Sequence, residues 1–388
     1  MPALRRWTVL QWWMETGMRM FLHKHVRVLV FAAVLISSPA LEPSSFVGPD
    51  LVWSETWPGP GVFSVRLLSD YEVSLLHTPF DAPVFVLGAS EKGSGALADS
   101  LSDGTRHVEG PSVAVLAGAH ANEPAAVLAA YWLVERCRVE GGTLVVVPRA
   151  NIPAAHWSGT PDGAPLTLTL GGRSLRYGAR FTDPVLESLP DPLWHVPPAT
   201  ALSGKSLVLP GFEARNLNRV YSGDPTGSMT ARTAWAITSM LSSPGVIGAI
   251  DLHEAGRKSG LAYTLITRSE FMDVAVATAL DLEIRYDLTF RLERSDSSHA
   301  GYSHWEWGSM GVPSFLVETY NPAQDPATDS QDMLELATQQ LAARVFAQLC
   351  ALDGLVRHMA ETSGQMMRLE GLPSCVDEVQ TWLNGSIL

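Results

Sequence analysis

The chain has 388 residues, 46% hydrophobic and 17% charged, enough to bury a core in one large α/β domain or two smaller ones. A formal charge of −13 argues against nucleic acid or an anionic membrane as partner and favours a soluble acidic protein. Cys137, Cys350 and Cys375 are too few and too scattered for a disulfide framework or a thiolate metal site.

The N-terminus has the order of a secretory signal. Lys24 and Arg27 precede the apolar run Val28–Ile36, and Ser38-Pro39-Ala40 offers a small-x-small cleavage site. Residues 1–40 are therefore expected to be a signal peptide or N-terminal anchor. A cleaved signal implies a secreted or periplasmic protein, and a cytoplasmic one follows if the segment is not a signal. The run is too short for a comfortable membrane span.

Residues 41–110 alternate short apolar runs (Val62–Leu68, Val84–Leu87) with Pro, Gly and Ser, and read as a β-rich segment packed on the core. One large α/β domain is expected over 111–365. Val113–Ala117 is a continuous apolar run, as a strand covered on both faces would be. Gly118 and Ala119 let the chain turn, His120 and Glu123 follow, and Pro124 opens a helix over Ala125–Cys137. Thr143–Val147 reads as the next strand. The stretch from Ile152 to Glu213, rich in Pro, Gly and Thr, reads as a long insertion (about 152–213), of the kind that forms a wall or lid over a site.

Arg215-Asn-Leu-Asn218-Arg219 then precedes a helix over Met229–Leu241. Gly245–His253 is a second buried strand ending in polar residues, and Leu261–Thr267 and Glu270–Leu280 read as a strand and a helix. Ser314–Glu318 repeats the theme of an apolar strand ending in a carboxylate. Gln331 to about Ala360 is helical, and 366–388 is expected to be a tail. The alternation predicts an α/β fold with a mostly parallel or mixed central sheet and helices on both faces.

In such sheets, sites form beyond the C-terminal ends of the strands. His120, Glu123, Asp251, His253 and Glu318 all fall there. Two imidazoles and a carboxylate are the usual open ligand set of a hydrolytic zinc ion. Asp251 shares a strand face with His253 and is suited to hold a ligand imidazole, that of His253 or His120, from behind. Glu254 points to the other face and reads as a solvated or structural carboxylate. An unpaired Glu318 at the end of an apolar strand is costly unless it serves chemistry. Arg219, a two-pronged donor, reads as a substrate-carboxylate clamp beside Asn218.

Together these residues resemble the zinc carboxypeptidase superfamily, most closely its succinylglutamate desuccinylase/aspartoacylase branch. The metal motif His-x-x-Glu matches His120 and Glu123, and Asp-Leu-His matches Asp251-Leu252-His253. The substrate-binding Asn-Arg pair matches Asn218 and Arg219. The catalytic Glu matches Glu318, preceded by Gly311-Val-Pro. The likeness covers about residues 110–320. Asn216 stands where the family pattern has Asp, and no C-terminal β-rich domain is evident. Tyr302 is the nearest match to the carboxypeptidase tyrosine. Arg149 and Arg215 compete for the arginine that polarises the scissile carbonyl.

The resemblance implies one zinc ion per chain on His120, Glu123 and His253, with Glu318 as general base. Cleavage of an amide bond follows, with deacylation of an N-acyl amino acid as the first expectation. A metallocarboxypeptidase acting on peptides or cell-wall peptides is the second, and a non-enzymatic metal- or peptide-binding protein the third. The expected partner is a small N-acyl amino acid or a short peptide, not nucleic acid.

Overall fold

The computed structural model describes residues 49–88, 110–159, 166–187, 194–195, 208–209, 212–325 and 332–385. The expected signal segment at 1–40 lies outside them. Among the described residues no helix is long and apolar enough to cross a membrane.

Helix α1 (Pro49–Glu55) leads into β1 (Val62–Leu67) and β2 (Pro83–Gly88), followed by β3 (Ser112–Ala117), α2 (Pro124–Arg136), β4 (Arg138–Glu140) and β5 (Thr143–Val147). The hairpin β6 (Leu166–Leu170) and β7 (Arg173–Tyr177) and the short pair β8 (Trp194–His195) and β9 (Val208–Leu209) precede α3 (Met229–Leu241) and β10 (Val246–Ala255). Then come β11 (Thr264–Arg268), α4 (Met272–Tyr286), β12 (Arg291–Ser295), α5 (Ser303–Ser309) and β13 (Ser314–Tyr320). Helices α6 (Met333–Thr338) and α7 (Leu341–Thr362), strand β14 (Arg368–Glu370) and α8 (Val376–Leu383) complete the chain.

One eight-stranded sheet runs in the order β1-β2-β5-β3-β10-β13-β11-β12. Its centre, β5-β3-β10-β13, is parallel; β1, β2 and β11 introduce antiparallel pairings. The fold is thus α/β with a mixed central sheet and helices around it, as the sequence predicts. The parallel strands are the apolar runs, because both of their faces are covered: Val113, Val115 and Ala117 are fully buried in β3, and Ala249, Ile250 and Leu252 in β10.

The 41–110 segment supplies two strands of the central sheet itself, β1 and β2. The 366–388 stretch carries β14, which pairs with β4, and α8, whose buried Trp382 meets Trp132 of α2 edge to face at 5.2 Å. The three cysteines are free thiols, with Cys375 exposed, so Cys350 and Cys375 form no pair.

Helix α7 supports the central strands from beneath: Gln348 Nε2 donates to His253 O (2.6 Å) and to Thr319 Oγ1 (3.1 Å). Glu254 is fully buried, not solvated. It accepts from Arg344 Nη1 of α7 (2.6 Å) and from Ala125 N (2.8 Å), so it both pairs a buried guanidinium and caps the N-terminus of α2.

Candidate metal centre and active site

The turn after β3 places the first two residues of the site. Gly118 takes φ 67°, and a Cβ there would meet Arg149 Cα at 3.0 Å, so a side chain is strained in this turn on both counts. His120 and Glu123 then face each other across the end of the sheet, with His120 Nδ1 2.8 Å from Glu123 Oε1. His253 reaches the same carboxylate from β10, its Nδ1 2.9 Å from Glu123 Oε2. The two imidazole rings stand edge to face at 4.8 Å, and one ligand atom from each of the three residues lies within 4.8 Å of the others. All three are buried.

The outer nitrogens are held from behind. His120 Nε2 lies 2.9 Å from Asn216 Oδ1, a neutral acceptor at the position where the resembling motif has Asp. His253 Nε2 lies 3.0 Å from Asp251 Oδ2, which assigns Asp251 to His253 rather than to His120. Glu123 is fixed further by Glu254 N (3.1 Å) and Gln324 Nε2 (3.1 Å). Nδ1 on both rings therefore turns inward to a shared carboxylate while Nε2 is anchored outward. That donor set fits a divalent metal ion with an open position.

Burial, reinforced by the Arg180 charge, pushes His120 down to about 4. Burial also opposes charge on His253, but Asp251 and Glu123 outweigh it and raise its pKa well above the usual imidazole value. Glu123 is held well below the carboxylate range because the two imidazoles override its burial.

Glu318 comes from β13, where the register sets it opposite His253 of β10. It is buried, and its Oε2 has no hydrogen-bond partner. Burial lifts its pKa to about 8, with Glu123 and Asp251 adding to the rise and His253 and Arg180 working against it.

Asn218 Nδ2 approaches His253 Nε2 at 3.5 Å, and its Oδ1 accepts from Ser303 N at 2.9 Å. Arg219 donates to Asn218 O (2.7 Å) and lies 3.8 Å over the Tyr302 ring. The carboxylate nearest to it, Glu213, stands 3.7 Å away. Burial lowers the Arg219 pKa, and Tyr302 and Glu213 offset this only in part, so the guanidinium is desolvated without being matched. Tyr302 serves here as the shelf for Arg219.

Neither arginine considered for the scissile carbonyl is free for that task. Arg149 is buried in an ion pair with Glu55 (2.6 Å) and also donates to Tyr131 and to Arg176 O. Arg215 donates to Thr182 O (2.6 Å) and packs over Trp157. Arg180 is the arginine whose charge is felt at the site. Ala121 N donates to Ala179 O (3.0 Å) and Gly178 N to Ala121 O (3.2 Å), which ties this part of the 152–213 insertion to the loop carrying His120. The charge of Arg180 acts on His120, Glu318 and Arg219. No carboxylate pairs with it among the described residues. Nothing around Arg180 in sequence marks it, because long-range backbone pairing brings it there.

Comparison with known proteins gives fold-level likenesses only. No family model and no curated protein matches the chain. Solved structures similar to it include Helicobacter pylori Csd4, a D,L-carboxypeptidase, at 15% identity and TM-score 0.44, covering 71% of this chain and 56% of that one. A metallo-carboxypeptidase from Burkholderia cenocepacia matches at 14% identity and TM-score 0.43, covering 78% and 66%. A succinylglutamate desuccinylase/aspartoacylase from Rhodobacter sphaeroides matches at 15% and 0.40, covering 76% and 61%. This chain thus spans just over half the length of the Csd4 structure. These likenesses concern the fold alone.

Proposed function

We propose that the protein is a zinc-dependent amide hydrolase that deacylates a small N-acyl amino acid. One observation supports this most: two buried imidazoles and a carboxylate converge on one point, with a buried, under-bonded Glu318 in register beside them. His120, Glu123 and His253 would hold the ion. Zinc, when bound there, supplies Lewis acidity and water with a pKa near 7.

The chain's own residues then have separable tasks. Glu318 accepts the proton of the attacking water and returns it to the leaving amine. Arg180, whose charge acts on His120 and Glu318, would stabilise the oxygen that gains charge. Arg219 receives the substrate carboxylate, and Asn218 fixes the strip that carries it. The depth of the site favours a small substrate over a long peptide, because His120, Glu123, His253, Asn218 and Glu318 are each at most 6% exposed.

Zinc-loaded protein should hydrolyse N-acetyl amino acids faster than peptides with free C-termini. The reverse order would make it a metallocarboxypeptidase. Glu318→Gln should retain zinc and fold while losing about 10²–10⁴-fold in turnover. A variant within roughly threefold of wild type removes Glu318 from the role.

A further inference from the structure

His304 is the polar side chain that this chemistry leaves unused. It follows Ser303 at the start of α5, whose backbone N–H donates to Asn218 Oδ1, so its position is tied to the substrate-facing strip. The imidazole is 1% exposed, and neither Nδ1 nor Nε2 has a hydrogen-bond partner. Its packing neighbours are rings: His299 at 5.3 Å and Tyr302 at 5.7 Å, centroid to centroid. Tyr302 in turn carries the Arg219 guanidinium over its face. Burial, with the charges of His299, His253 and Arg219 around it, holds His304 far below its ordinary pKa.

A hydrocarbon side chain would leave no polar atom unmet here. An imidazole with both nitrogens unmet is a standing expense for the fold, and buried groups of this kind call for a reason. A neutral imidazole presents one donor and one acceptor, a pattern that a carboxamide or hydroxyl group completes and a hydrocarbon cannot. We propose that His304 reads the side chain of the substrate, selecting an acyl amino acid whose side chain both donates and accepts hydrogen bonds, while Arg219 holds its carboxylate. This rests on the hydrolase reading above and narrows its substrate class.

Asparagine and leucine are nearly isosteric, so they separate hydrogen bonding from shape. Wild type should prefer N-acetyl-asparagine over N-acetyl-leucine by roughly 10- to 100-fold in kcat/KM, the size of one unmet buried hydrogen-bonding group. His304→Leu should erase or invert that ratio with zinc content unchanged, and His304→Gln should keep part of it. Calorimetric titration of zinc-loaded protein with free asparagine and free leucine gives the same comparison without turnover.

A His304-dependent preference for asparagine in binding, without hydrolysis, upholds the side-chain reader and sinks the hydrolase. Hydrolysis of both substrates at ratios that His304→Leu leaves unchanged does the opposite. Failure to bind either amino acid also overturns the proposal. If His304→Leu does not fold, wild type and His304→Gln decide it: equal affinities for asparagine and leucine in wild type are enough to reject the reader.

Discussion

The buried charges around His253 are tightly paired. With Asp251 and Glu123 on either side of it, the His253 imidazole is raised well above its ordinary pKa. A metal ion needs that imidazole neutral, so binding must expel the proton. Because the His253 pKa is raised, apparent metal affinity should climb with pH, by about tenfold per unit below that pKa for one released proton. Zinc titrations across that range check the slope, and a flat profile would mean that His253 is not displaced by the ion. Arg219 offers a second measurement at this scale. Its desolvated guanidinium is paired only loosely, with Glu213 at 3.7 Å, so Arg219→Ala should cost about 1.5–3 kcal/mol of charged hydrogen bonding, or roughly 10–150-fold in kcat/KM on a carboxylate substrate. Arg219→Lys should recover only part, since an ammonium cannot reproduce the fork. Equal wild-type rates on a carboxylate substrate and its amide would make Arg219 a structural residue.

Among the elements, Glu254 shows how the site is braced. A fully buried carboxylate joins β10 to Arg344 of α7 and caps α2 at Ala125. Removing it strands a buried guanidinium and an uncapped helix start. Glu254→Ala should cost about 3–5 kcal/mol in denaturant unfolding, whereas Glu254→Leu with Arg344→Met should recover most of the loss. A single variant within ~0.5 kcal/mol of wild type, as at a surface site, would show that the pair does not brace the strand. The readable elements share one property, burial that imposes a pattern. Thr143–Val147 and Met229–Leu241 have the bounds expected of them, the first as a continuous apolar run and the second as a capped helix. Strand β12, Arg-Leu-Glu-Arg-Ser, escaped because an edge strand exposed on its outer side carries no apolar alternation. Helix α5 is a single short helix with polar residues on either side of its tryptophans, too brief for a 3.6-residue period to register. The β6–β7 hairpin did carry a signal: Leu-Thr-Leu-Thr-Leu, then Gly171-Gly172, with Leu170 opposite Arg173. The residues proposed to hold the metal were legible because they end strands, and Asn216 was visible as a departure from the resembling motif before its contact with His120 was. Arg180 and His304 were not, because each owes its place to contacts far along the chain.

At the scale of the whole molecule, the ligands come from separate parts of the sheet. His120 and Glu123 follow β3, His253 lies in β10, and Glu318 stands beside it on β13, so an ion at this point ties together the parallel centre of the fold. A ligand that binds the native state alone stabilises it by RT ln(1 + [L]/Kd), about 4 kcal/mol at a thousandfold excess over Kd. Val47–Leu388 forms one compact unit of about 340 residues, for which roughly 2.1 cal/mol/K per residue of unfolding entropy converts that gain into a Tm rise of about 6 °C. The acidic surface, with a formal charge of −13, gathers divalent cations without specificity, so zinc must be compared with magnesium at equal concentration. Magnesium prefers oxygen ligands and should bind poorly to two imidazoles, leaving Tm nearly unchanged, while zinc raises it. His120→Ala and His253→Ala should each lose the zinc-dependent rise and the bound ion measured by elemental analysis. Equal shifts from zinc and magnesium, or a full zinc shift retained in either variant, would place the stabilising ion on the acidic surface rather than at the end of the sheet.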